Sequence, residues 1–133
     1  MPKIVRIKHR NEVVAIIVPA DYKPERLEFI TPDNYKQQVG FIVYPGESEI
    51  VRHIHLELNR HLIGTSEVLL VRKGHCLADF YAQDKTFLCT HELRQGDTLI
   101  LVSGGHGFRM IEDTVFLEIK QGPYLNEKEK ERF

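Results

Sequence analysis

Short apolar runs, broken by turn signals about every eight to twelve residues, dominate this chain, and that rhythm constrains it more than any other feature. The runs cover residues 3–8, 12–18, 27–30, 39–44, 52–56, 66–74, 76–81, 86–93, 98–102, 106–111 and 114–120. Branched and aromatic side chains recur in them, as a pleated, half-buried surface requires. Arg10-Asn11, Pro45-Gly46, Lys73-Gly74-His75, Gln83-Asp84-Lys85, Gly96-Asp97 and Glu112-Asp113 supply the punctuation. The pattern predicts an all-β sandwich or barrel and nothing of solenoid period. Only the tail, residues 125–133, looks helical, and its charges alternate without a broad apolar face. The expected organisation is therefore a single domain: a β-barrel with N-terminal strands over residues 1–124 and a charged tail over 125–133.

Charge excludes some partners. With 18 Lys and Arg against 19 Asp and Glu, there is no basic excess to draw the chain to nucleic acid or an anionic membrane. No apolar run reaches transmembrane length, and Met-Pro-Lys-Ile-Val-Arg lacks the apolar centre of a signal peptide. The expectation is a soluble, cytoplasmic protein. Cys76 and Cys89 are too few for a disulfide framework and are expected to be buried, reduced thiols.

Histidine placement is the strongest chemical signal. In a strand, residues i and i+2 point the same way, so the run Arg52-His53-Ile54-His55-Leu56 would project His53 and His55 from one face. Paired neutral imidazoles can hold a divalent metal. Glu67, opening the next apolar run, can add an oxygen ligand or act as a base beside the metal. His106, after Gly104-Gly105, is a fourth candidate. Three histidines and a carboxylate suit Zn, Fe, Ni, Mn or Co. Arg60, in the connection between the histidine run and Glu67, can grip a carboxylate or phosphate of a substrate, although an ordinary surface arginine fits as well. In 115–120, alternation puts Val115, Leu117 and Ile119 on one face and Phe116, Glu118 and Lys120 on the other. If the first set is buried, Glu118 is inert; if the second set lines the interior, Glu118 is a general acid or base whose pKa burial raises. His9, His75 and His91 fit no ligand spacing and are read as surface residues.

Over roughly residues 38–121, about one domain's worth of chain, the sequence resembles the cupins. Gly46, His53-x-His55, Glu67 and Gly74 follow the order of that family's first motif, and Gly96 through His106 follows its second. The stretch between His55 and Glu67 is longer than in the family pattern, and Val102 stands near its usual Pro. The resemblance implies a double-stranded β-helix (jelly-roll) barrel enclosing a divalent transition metal on His53, His55, Glu67 and His106. It also implies a homodimer, for which residues 3–18 are the expected edge. The functional expectation is an enzyme on a small polar carbohydrate-type ligand, such as a sugar, uronate or nucleotide-sugar. It would move protons as an isomerase or epimerase does, at a metal-polarised carbonyl, with Glu118 or Glu67 as the base. Three alternatives stay open: a non-catalytic metal-dependent binding module, a dioxygenase, and metal-free epimerisation by a histidine base. An acid/base group facing the interior would favour the isomerase reading.

Overall fold

The alternating runs pair as antiparallel strands. The computed structural model describes residues 2–133, of Glu127 the backbone alone. The chain divides into two units, one made of the residues up to Tyr22 with Thr65–Phe133, the other of Lys23–Gly64.

The larger unit holds eight of the strands. They are β1 (Val5–His9), β2 (Glu12–Val18), β5 (Glu67–Lys73), β6 (His75–Tyr81), β7 (Phe87–Arg94), β8 (Thr98–Leu101), β9 (Gly105–Met110) and β10 (Val115–Lys120). They form a five-stranded sheet, ordered β1-β2-β8-β5-β10, and a three-stranded sheet, ordered β7-β6-β9. β1 and β2 join through Arg10 and Asn11 at φ 50° and 69°. Positive φ at both central residues is the geometry whose twist matches a two-residue hairpin. Between β5 and β6, Gly74 holds φ +107°, and a Cβ there would lie 2.4 Å from the Asp113 carbonyl oxygen. Asp97 secures the turn into β8: its carboxylate accepts from the Ala20 amide at 2.9 Å and the Arg94 amide at 2.8 Å.

One apolar core is shared by the two sheets. Ile7, Ala15, Ile17, Leu69, Val71, Leu99 and Leu101 come from the five-stranded sheet, and Cys76, Ala78, Phe80 and Leu93 from the three-stranded one. Burying a side chain the size of Phe80 or Leu93 contributes about 1.5–3 kcal/mol. Phe108 on β9 meets Phe116 on β10 with ring centroids 5.1 Å apart, so the sheets touch near the β10 edge as well. Among the described residues no sheet closes on itself, so the architecture is all-β with open antiparallel sheets. Both thiols are free, Cys76 buried and Cys89 half-buried, and burial raises the pKa of each.

The smaller unit is sparser. β3 (Glu28–Phe29) pairs with β4 (Gly40–Phe41). The loop between them is laced by Val39 N donating to Thr31 Oγ1 at 2.9 Å and by Gln38 Nε2 donating to the Pro32 carbonyl at 2.9 Å. The strand expected over 39–44 shrinks to these two residues. The strand expected over 52–56 is not formed: residues 50–63 carry no strand or helix. Alternation fixes which side chains would share a face, but a strand also requires a partner backbone for its amides and carbonyls. Ile54 and Leu56 are 85% and 80% exposed. Among the described residues, no helix is long and apolar enough to cross a membrane.

Candidate functional site

Glu67, Glu118 and Lys120 share the core-facing side of the β5–β10 ladder, with His106 near Glu118, and register explains why. In the β5–β10 ladder Lys120 lies opposite Glu67, and Glu118 opposite Leu69. Directly paired antiparallel residues project to the same side. Leu69 and Val71 belong to the core, so Glu67, Glu118 and Lys120, alternating in step with them, face inward at the end of the same sheet. Phe116, next in that alternation, packs against the core. Alternation therefore sets Phe116, Glu118 and Lys120 on the core-facing side of β10. Val115, Leu117 and Ile119 are 44–53% exposed, and the Glu118 side chain, at the sheet's edge strand, is itself 41% exposed.

Ser66 fixes the start of β5. Its hydroxyl donates to the Leu101 carbonyl at 3.1 Å, and its amide donates to Gln121 Oε1 at 3.0 Å. From the other sheet, His106 on β9 pairs with the fully buried Phe80 and so points to the same interior. Its ring lies 5.8 Å from that of Phe108.

The electrostatics are those of a crowded carboxylate pair. Burial, a hydrogen bond to Glu118 and the Glu118 charge push the Glu67 carboxyl up to about 7, against the opposing pull of Lys120 and Lys130. A raised carboxyl is the expected outcome when two such groups share a site. Burial lowers the His106 pKa, with Lys130 adding to the effect and Glu118 opposing it. Burial thus favours the neutral form of this imidazole, and Glu118 is near enough to oppose it.

Lys120 completes the cluster. Its ammonium lies 3.9 Å from Glu118 and 2.9 Å from Glu129 of the tail. The bond to Glu129 raises the Lys120 pKa and lowers that of Glu129. Lys120 also sits 4.0 Å from the Tyr124 ring centroid.

The expected metal ligands are divided between the units. Glu67 and His106 belong to the larger one, while His53 and His55 lie in the irregular, exposed segment of the smaller one. The His53 and His55 rings are near each other, with centroids 5.2 Å apart, and His53 Nδ1 is 2.8 Å from the Val51 carbonyl oxygen. Arg60 and His61 are exposed in that same segment. The donor chemistry, neutral imidazole with carboxylate, suits a borderline divalent ion. Among the described residues, however, no three or more His, Cys, Asp or Glu side chains are gathered closely enough to hold one.

Two of the remaining histidines depart from the surface reading. His75 is half-buried and its Nε2 bonds the Glu92 carboxylate, which Arg94 also contacts. His91 stacks edge-on to Phe80, with centroids 6.3 Å apart. Nothing in the spacing of the sequence marked Glu129 or Tyr124 as neighbours of Lys120, or Lys130 as acting on Glu67; the Glu118-x-Lys120 alternation was the one available clue.

Comparison with protein-family models, curated proteins and solved structures gave no match to the chain. Fold and site alone define the class: an all-β protein whose larger unit carries two carboxylates, an imidazole and a lysine on its inner face.

Proposed function

We propose that the protein is a cupin-type, metal-binding enzyme that moves protons on a small polar carbohydrate-type substrate, in the manner of an isomerase or epimerase. The observation that carries this reading is the convergence of Glu67, Glu118 and His106 on the inner face. Inward acid/base groups are what such chemistry needs, and a purely binding pocket has no use for a shared proton. Glu118, beside Glu67, is the base. It takes a proton from the carbon next to a substrate carbonyl and returns it to the neighbouring position. His106, held neutral by burial, turns its ring to the same face. A divalent cation on His53, His55, Glu67 and His106 would supply polarisation of that carbonyl. This requires residues 52–56 to adopt the paired, extended form their alternation predicts, as in a jelly-roll barrel. Arg60 is the proposed grip on a substrate anion. A homodimer through the β1 edge belongs to the same reading, and sedimentation velocity tests it.

The test has two arms. Chelator-treated protein is titrated with Zn(II) and Ni(II), and wild type is compared with H53A/H55A. Solvent deuterium incorporation into a panel of hexoses and uronates is then followed by NMR, comparing wild type with E118Q. One tightly bound ion per chain that the double variant loses, and exchange that E118Q slows by about 10²-fold or more, are the expected results. Stoichiometric binding by neither ion, together with no exchange in any sugar, overturns the reading.

A further inference from the structure

The tail is tied back to the larger unit, to Lys120 beside Glu118 and, further on, to Lys85 and Tyr81. Glu129 and Lys120 form a sheltered contact, their side chains only 12% and 16% exposed. Glu129 also accepts from the Leu125 amide at 3.0 Å. Further on, Lys85 meets Glu131 at 2.9 Å, and the Phe133 ring lies edge-on to Tyr81 with centroids 5.0 Å apart. Gly105 makes room for that ring, since a Cβ there would come within 2.9 Å of Phe133 Cζ. These outer contacts are weak. Lys85 and Glu131 are 49% and 78% exposed, and an ion pair in water contributes about 0–1 kcal/mol. Phe133 is 63% exposed. Chain ends held in this way open readily.

Lys120 is different. A sheltered ammonium requires an opposite charge, because its desolvation is otherwise uncompensated. Glu118 sits at the longer distance of 3.9 Å and is already engaged with Glu67, so the tail supplies the closer carboxylate. When the tail lifts, Lys120 is left facing the same interior as Glu67, Glu118 and His106 without its nearest anion.

We propose that Leu125–Phe133 is a strap over the site and that Glu129 occupies an anion subsite at Lys120 which the carboxylate of a small ligand takes when the strap opens. Resting on the ligand-binding role of that same face, the strap makes the preferred ligand acidic, a uronate or another sugar acid, rather than a neutral sugar. Glu129 and the ligand then compete for one cation, and the apparent affinity falls by the fraction of time the strap is open.

The strap is tested on the full chain, without turnover or metal, so that failure of the enzymatic reading leaves the outcome interpretable. D-glucuronate and D-glucose are titrated into wild type, E129Q, F133A and K120M by calorimetry, with hydrogen exchange following the amides of 125–133. In E129Q and F133A, faster exchange in the tail and about tenfold tighter glucuronate binding, with glucose unchanged, are expected. K120M, checked for folding by its amide spectrum, is expected to lose the preference for glucuronate. Three results overturn the strap: glucuronate binding equally to wild type and to variants whose tails exchange faster, an equal gain for glucose, or glucuronate binding to none of them.

Discussion

Residues 50–63 and residues 115–120 carry the same kind of sequence, alternating apolar with charged or imidazole side chains, and they meet opposite fates. In 115–120 the alternation is realised: β10 pairs with β5, and Phe116, Glu118 and Lys120 turn inward. In 50–63 it is not, and Ile54 and Leu56 stand in solvent. The difference is a partner. β5 offers β10 a ladder in register, whereas the histidine run has no strand beside it. Periodicity specifies which residues share a face; pairing decides whether the face exists. Glu67 and His106 of the expected site lie on paired strands, whereas His53 and His55 lie on the unpaired run.

The contrast breaks most visibly in stability. Leu93→Ala, at a fully buried position, is expected to cost about 2–5 kcal/mol in urea denaturation, whereas Leu56→Ala should stay within about 0.5 kcal/mol. A comparable loss at Leu56 would mean that the run is packed after all.

A smaller effect comes from Glu67. The folded chain keeps a proton on this carboxyl up to about 7, while the unfolded chain releases it near its ordinary value of 4.5. Its contribution to stability is therefore full below pH 4.5 and is lost as pH rises to about 7. Discounted for the part of the group that water still screens, the fall is about 1–2 kcal/mol. E67Q should flatten that slope in denaturation curves recorded from pH 4 to 8, and an unchanged slope would assign it to another group.

The smallest change concerns the outer face of the three-stranded sheet. Arg109 donates to Asp79 through two nitrogens, both at 2.8 Å, and Thr90 adds a third bond at 2.6 Å. Together they hold the Asp79 carboxyl down at about 2. Its stabilisation is present above the ordinary value of 3.8 and is lost as pH falls through about 2. D79N should therefore lower Tm slightly at pH 7 and by clearly less at pH 2. A loss of Tm as large at pH 2 as at pH 7 would assign a packing role to the side chain.

Much of the larger unit was legible. β1, β2 and β5–β10 match the expected runs to within two residues at either end, and Arg10-Asn11 and Gly74 make the turns their chemistry announces. Glu67, His106 and Glu118 were legible as candidates because each sits at a strand position whose parity can be read. Their meeting was not, because it depends on which strands become neighbours, and β5 pairs with β10 some fifty residues away. The tail was least legible. Alternating charge describes a solvated segment equally well, and only tertiary placement sets Glu129 on Lys120.

The central claim is that Glu67 and Glu118 act as one proton-sharing pair on the inner face. ¹³C NMR titration of the glutamate carboxyls in chelator-treated protein tests it most directly. Glu67 should titrate near 7 in wild type and move down in E118Q, with burial still holding it above 4.5. A Glu67 that titrates at its ordinary value, indifferent to E118Q, would contradict the account.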